Sequence, residues 1–306
     1  MIRRTYLGLD VRAEELRTVA LHRKGRGSSL KGGRIISLAE GVVAPSFREP
    51  NILNLRSFMD ALHEVLGPLA GREERIALSL PEPAGKIILT EVETDFKTKD
   101  EGVEVLRWQL KSSLPFDPKD VRLDYQILEK SDTGRQRLVV ALMSGKVLEQ
   151  YEELITEAGY NPTVVDFHSL NLYNYYRPRL DLGENFILVG IEGGSLSFQF
   201  FQSRVLIFHR VREVEASPER VFRELNLTMV GCREKYSGFR RATVFMHNDW
   251  EESGPLMEAL TSAFEREVVL LNPHLERLTP GSLDLPSWRS PCLAAAIGAA
   301  ERMMQR

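Results

Sequence analysis

The sequence predicts an α/β protein of two similar lobes, each a βββαβα unit, with a small β/α subdomain inserted into the first. Three observations predict it. Residues 184–210, ENFILVGIEGGSLSFQFFQSRVLIFHR, read as strands at 186–191, 196–202 and 205–210, with a turn at Glu192-Gly193-Gly194. The β-branched and aromatic runs are of strand length and are bounded by glycine and polar residues. Residues 6–22, YLGLDVRAEELRTVALH, repeat the arrangement, with Gly8-Leu9-Asp10 at the end of a strand, a polar turn and a second strand, and a third strand follows at about 34–42. A repeated opening implies two copies of one unit facing a common cleft. At 306 residues the chain also exceeds the size at which one core usually stops growing.

The remaining elements follow in order. Residues 51–66 place Leu55, Phe58, Met59, Leu62, Val65 and Leu66 at helical spacing, and Gly67-Pro68 is the expected stop. A short strand at 75–80 completes βββαβ. Residues 81–145 then read as the insertion. It opens with a strand at 87–92, after which Thr98 and Glu101 have capping-box spacing ahead of a helix that ends by Pro115. That helix buries Val103, Leu106 and Leu110, and Trp108 and Tyr125 read as core or interface aromatics. Strands at 121–128 and 137–143, with a turn at 131–134, close the insertion.

A helix at 146–158, stopped by Gly159 and Pro162, and a short strand at 163–165 return to the first lobe. Asp166 or Ser169 is the expected cap of a helix carrying Leu170, Tyr173 and Tyr176 inward. In the second lobe, Ser217-Pro218-Glu219 is a helix start, and Val221, Leu225, Met229, Cys232 and Tyr236 form its apolar face. A strand at 242–247, a helix at 256–264 and a strand at 267–271 make a β-α-β unit. From Ser290-Pro291 a last helix, CLAAAIGAAERMM, has the small residues needed for close backbone packing. The expected division is 1–80 and 146–180 for the first lobe, 81–145 for the insertion, 181–290 for the second lobe, and 291–306 for a helix that packs back at the cleft.

Composition excludes several classes. Hydrophobic residues at 43%, charged residues at 27% and a net charge of −3 describe an ordinary globular protein, not a strongly basic nucleic-acid binder. The local exception is residues 23–34, RKGRGSSLKGGR, which read as a solvated glycine-rich hairpin loop; contact with an acidic partner or an anionic membrane surface is the alternative. No apolar run reaches the roughly 18–20 residues needed to span a bilayer. Asp10, Arg12 and Glu14 interrupt the start of any signal sequence, so a cytoplasmic location is expected. Cys232 and Cys292 stand apart, which fits a reducing compartment and gives no zinc motif. Ser144-Gly145-Lys146 lacks the first glycine and the final hydroxyl of a P-loop, and Gly193-Gly194-Ser195 lacks the order of a nucleophile elbow.

Residues 106–128, LRWQLKSSLPFDPKDVRLDYQIL, and 141–166, ALMSGKVLEQYEELITEAGYNPTVVD, are similar to the PilM family of type IV pilus assembly proteins and more distantly to the cytoplasmic part of GspL of type II secretion. The resemblance spans nearly the whole chain. It implies an actin-like (ribonuclease H-like) fold, with Asp10, Glu192, Gly193 and Gly194 at the nucleotide hairpins. It also implies a PilN-like bitopic inner-membrane partner, besides other pilus components, whose N-terminal cytoplasmic peptide lies between residues 1–80 and 81–145. Phe116, Leu123 and Tyr125 are the candidate groove residues. The protein would thus sit at the inner-membrane face through its partner, binding no nucleic acid.

The departures from the family pattern bear on chemistry. An actin-like ATPase positions Mg²⁺ and water with acidic residues at the two hairpins, while the turn amides hold the phosphates. Here the first loop is VRAEEL, whose Glu14 and Glu15 would repel a polyphosphate. In the second, Gly190 stands where the family has aspartate and Glu192 where it has glycine. After Met246, His247-Asn248-Asp249-Trp250 replaces the Gly-Gly of the adenosine motif. The expectation is a non-catalytic scaffold without ATP or Mg²⁺; the alternative is a nucleotide-switched assembly ATPase. A sugar or acetate kinase would require intact phosphate loops and a polar substrate pocket, and neither is identifiable.

Overall fold

The computed structural model describes residues 4–305 except 26, 133, 179, 181–183 and 280–282. Met1, Ile2 and Arg3, Arg26 of the basic stretch and Thr133 of the 131–134 turn lie outside the described residues. In chain order the elements are β1 (Thr5–Val11), β2 (Glu15–Lys24), β3 (Gly27–Ser37), α1 (Leu55–Ala70), β4 (Arg75–Leu80), β5 (Gly85–Val92), α2 (Lys99–Leu110), β6 (Val121–Lys130), β7 (Gln136–Ser144), α3 (Gly145–Glu157), β8 (Asn161–Phe167) and α4 (His168–Tyr176). There follow β9 (Phe186–Glu192), β10 (Ser195–Gln202), β11 (Val205–Glu213), α5 (Pro218–Lys235), β12 (Thr243–Asn248), α6 (Gly254–Phe264), β13 (Val268–Leu270) and α7 (Ala294–Gln305). Two compact units result, one of residues 1–171 with 295–306, the other of residues 172–294.

The first unit is built on a sheet of order β3-β2-β1-β4-β8, in which β1 runs antiparallel to β2 and parallel to β4. The second is built on a sheet of order β11-β10-β9-β12-β13, with the same directions at the corresponding pairs. The duplication expected from the two hairpins is therefore a duplication of sheet topology. The insertion is an antiparallel sheet of order β5-β7-β6 with α2 against it, and it has its own core of Val92, Leu106, Leu110, Val121, Leu138, Val140 and Leu142.

Several boundaries differ from the sequence reading, each for a physical reason. Residues 23–34 are not a loop: β2 continues to Lys24 and β3 begins at Gly27, registered from Glu15↔Ser37 to Lys24↔Gly27 with a bulge at Ala20/Leu21. The ladder overrides the weak strand propensity of glycine, and Gly32 is used, because a Cβ there would come within 2.8 Å of Leu69 on α1. The side chains of the strand also have work within the unit: Arg23 donates to the carbonyl of Met304, and Ser28 donates to Glu301, 2.6 Å away.

Helix α1 is capped by Asn54, whose side chain accepts from the Ser57 amide, and it runs through Gly67-Pro68 to Ala70. A proline this close to the end removes one hydrogen bond of the last turns and does not stop the helix, which ends at Gly71 with φ +64°. Phe58, Leu62, Val65 and Leu66 are buried, each stabilising by about 1.5–3 kcal/mol relative to exposure, whereas Leu55 is in fact exposed. Trp108 is also misread by sequence, since α2 turns it outward to 80% exposure while Leu106 and Leu110 face inward.

The C-terminal helix α7 belongs to the first unit. Ala296 and Ala300 lie against Gly8 of β1, where a Cβ would fall 2.0 Å from the Ala296 carbonyl oxygen and 3.1 Å from the Ala300 methyl. The alanine-rich sequence thus serves a backbone-close contact, and the glycine of Gly8-Leu9-Asp10 is its counterpart.

Candidate functional site

In the first unit the β1–β2 hairpin carries Asp10, fully buried at the end of β1. Ser79 on the neighbouring β4 donates to Asp10 Oδ1 at 2.7 Å, and His168, opening α4, meets the same oxygen through Nδ1 at 2.9 Å. The parallel pairing Asp10↔Ser79 and the pairing Ser79↔Asp166 bring these strand ends together. Burial on its own raises the Asp10 carboxyl, but the charge and hydrogen bond of His168, with the charges of Arg12 and Arg17, outweigh it and hold the group below its ordinary value of 3.8. Asp10 Oδ2 has no hydrogen-bond partner among the described residues.

The hairpin tip itself is closed internally. Arg12 N donates to the Glu15 carbonyl at 2.8 Å, and Leu38 N to the Glu14 carbonyl at 2.7 Å. Of the two acidic residues expected to repel phosphate, only Glu14 projects as an exposed charge; Glu15 is bound at 2.8 Å by the nearly buried Arg17. Just before α4, Asp166 Oδ1 accepts from the Phe167 amide at 2.9 Å. Within the first turn of the helix, the Ser169 amide donates to Glu82, which projects from the turn after β4, at 2.5 Å.

In the second unit the β9–β10 hairpin turns on Gly193-Gly194, with Glu192 paired to Ser195. Gly193 has φ +53°, whereas Gly194 does not adopt a positive φ, the pattern of a type II′ turn. Only one of the two glycines is therefore demanded by backbone conformation. The Gly193 amide donates to Asp249 Oδ1 at 2.8 Å, and the Trp250 indole donates to the Gly193 carbonyl at 3.2 Å. Residues after β12 thus occupy both polar groups of the turn glycine. Below the tip, Glu192 Oε1 lies 3.6 Å from His247 Nε2, and His247 Nδ1 is 2.9 Å from the hydroxyl of Tyr176, all three residues being buried. Gly190 is walled in. A Cβ there would meet Ser197 Oγ at 2.5 Å and Leu172 Cδ2 at 2.9 Å.

A groove of about 160 Å³ opens in the first unit between the insertion and the five-stranded sheet. Arg122, Leu123, Asp124, Ala141, Leu142 and Met143 line one side from β6 and β7. Leu80, Leu148, Val165, Asp166 and Phe167 line the other from β4, α3 and β8. Both β6 and β8 are edge strands of their sheets. Of the three candidate groove residues, Leu123 lies here. Tyr125 packs over Gly102 of α2 and edge-on to Phe96 at 5.4 Å, within the insertion, whereas Phe116 packs at 4.9 Å against Phe47 of residues 1–80, outside this groove but at the junction of the two segments. Leu148, Val165 and Phe167 had no local signal in the sequence; only the return of the chain to the first sheet places them opposite Leu123.

A sequence profile described as type IV pilus assembly protein PilM matches residues 8–215. The chain belongs to the PilM family. No curated protein matches it. Among solved structures, the PilM-PilN type IV pilus biogenesis complex is similar with a TM-score of 0.81 at 17% identity, over 98% of this chain and 99% of that one. A Bacteroides thetaiotaomicron protein with an actin-like ATPase fold is similar at 0.56 and 12% identity, over 89% and 95% of the two chains. The cytoplasmic domain of EpsL, an inner-membrane component of the type II secretion system of Vibrio cholerae, is similar at 0.51 and 13%, over 85% and 94%. The fold is therefore the actin-like one. Among its described residues no helix is long and apolar enough to cross a membrane.

Proposed function

We propose that the protein is a non-catalytic scaffold of type IV pilus assembly, stationed at the cytoplasmic face of the inner membrane by holding the N-terminal cytoplasmic peptide of a PilN-like protein in the groove between β6 and β8. The observation that carries this reading is the groove itself: an apolar channel flanked by two sheet edges, each with backbone groups free of a neighbouring strand. An extended segment gains main-chain hydrogen bonds from such an edge while alternate side chains enter apolar pockets. Arg122 and Asp124 alternate with Leu123 along β6, so charge borders the channel as well as apolar surface.

The second hairpin supports the non-catalytic half of the reading. A carboxylate cannot replace Gly190 without displacing Ser197 or Leu172, and the Gly193 amide is committed to Asp249. These residues do not fit a phosphate chain with its Mg²⁺ at that hairpin. One observation favours the other reading, a nucleotide-switched ATPase: Asp10 is ionised and buried with one oxygen unpartnered.

Calorimetry of the full chain with the N-terminal peptide of the PilN-like protein tests the proposal. Saturable binding is expected, weakened about tenfold or more by Leu148→Asp on the α3 wall. Absence of binding at high micromolar peptide, with the protein folded, overturns it. A thermal-shift titration with Mg-ATP separates the two readings, because a ligand of the folded state raises apparent stability by mass action; no shift is expected.

A further inference from the structure

We infer that the outer face of α5 is a self-association surface, on which α5 of a second copy of this chain docks antiparallel. The helix is 18 residues long and buries Val221, Leu225, Thr228, Met229 and Cys232 against its own sheet. On the opposite side, Arg220, Arg223, Leu227, Val230 and Glu234 follow one another at spacings of three and four, and all five are exposed. That is the stripe along which two helices meet. Leu227 and Val230 at its centre are 59% and 61% exposed, and the exposed Gly231 beside them has no heavy atom within 4 Å of where its Cβ would stand, so a second backbone can approach there.

The charges select the occupant. The helix dipole favours acids in the first turn and bases in the last. Glu219, Arg233 and Lys235, on the flanks, obey this. The stripe does the reverse, with Arg220 and Arg223 near the N-terminus and Glu234 near the C-terminus, so its charges are not explained by the stability of α5 alone. They are explained by an antiparallel copy. With the two-fold axis at Leu227, Leu227 meets Leu227, Arg220 of each copy faces Glu234 of the other, and Glu219 faces Lys235. In a parallel pair Arg220 would meet Arg220 and Glu234 would meet Glu234. The closed two-fold arrangement needs one self-complementary patch. In the isolated chain Arg220 lies 3.2 Å from Glu215, a pair whose members are 52% and 71% exposed and which exchanges readily for another. One helix pair buries less than the area of a standard stable interface, so the dimer is transient and is seen at high protein concentration.

Sedimentation velocity of the full chain, from micromolar to several hundred micromolar, reads this directly. A concentration-dependent rise in mass toward two chains is expected. Arg220→Glu and Glu234→Arg should each abolish it, and the double variant R220E/E234R should restore it, with all three melting within a few degrees of the parent because both sites are exposed. A monomer throughout the range overturns the inference, as does a dimer that either single variant leaves intact or that the double variant fails to recover. Because the stripe lies on the second unit and the peptide groove on the first, these measurements are independent of peptide binding.

Discussion

The two hairpins stand on sheets of the same order, and comparing them separates what the fold requires from what a site requires. On β1 the end of the strand keeps a carboxylate, set among Ser79, His168 and an unpartnered oxygen. On β9 the equivalent stretch keeps no carboxylate at Gly190, and the space is taken by Ser197 and Leu172. One topology thus tolerates either a polar pocket or a packed contact at the same place. The lesson is that a hairpin with Gly-x-Asp or Gly-Gly at its tip marks the fold, and the atoms around it decide the chemistry.

The comparison can be broken most severely by placing an acid at Gly190. Gly190→Asp forces a side chain into occupied volume and buries a charge, and a loss of about 3–5 kcal/mol is expected by urea denaturation; a variant within 1 kcal/mol of the parent would show that the wall around Gly190 yields. Next comes the first hairpin, where Gly8→Ala sets a methyl 2.0 Å from a backbone oxygen of α7 and should cost about 3 kcal/mol.

The third test concerns the acid itself. Asp10 is held below its ordinary 3.8, so the folded state binds its proton less readily than the unfolded state. Its contribution to stability is full above about pH 5 and declines as pH falls through 3.8 toward the lowered folded value. Asp10→Asn should therefore flatten the acid side of the stability profile below about pH 5. The smallest effect distinguishes the two turn glycines. Gly193→Ala, at φ +53°, should lower stability by about 1 kcal/mol, and Gly194→Ala by less than half of that, since only a 3.2 Å contact with the Val214 carbonyl opposes it.

Much of the architecture was readable because strand and helix periods act locally. The three-strand openings, the cap at Thr98, the start at Ser217-Pro218 and the inward face of α5 are statements about neighbours in sequence. What failed depended on partners far along the chain. Residues 23–34 look like a loop until β2 is present to pair with them, and Pro68 looks like a stop until tertiary packing carries α1 past it. Trp108 reads as a core or interface aromatic by its chemistry, but α2 buries Gly102, Leu106 and Leu110 and leaves Trp108 outside that stripe. In sequence the groove reads as a junction of residues 1–80 with 81–145, whereas Leu148, Val165, Asp166 and Phe167 of its second wall come from 146–180 and Leu80 alone of its lining from 1–80. Its walls come from β4, β6, β7, α3 and β8, while Tyr125 is engaged within the insertion by Phe96 and Phe116 is engaged by Phe47 of residues 1–80.

The contact between Gly8 and Ala296 has a consequence for biosynthesis. β1 is covered on that side by α7, which is synthesised after both sheets, so a nascent chain carries an unfinished face of this unit from the making of β1 to that of α7, roughly half a minute at ordinary elongation rates. The second unit has all its strands before α7 emerges and can fold meanwhile. Until α7 packs, Gly8 and its neighbours on β1 lack that cover and stay open to chaperones and proteases, and its arrival hides them.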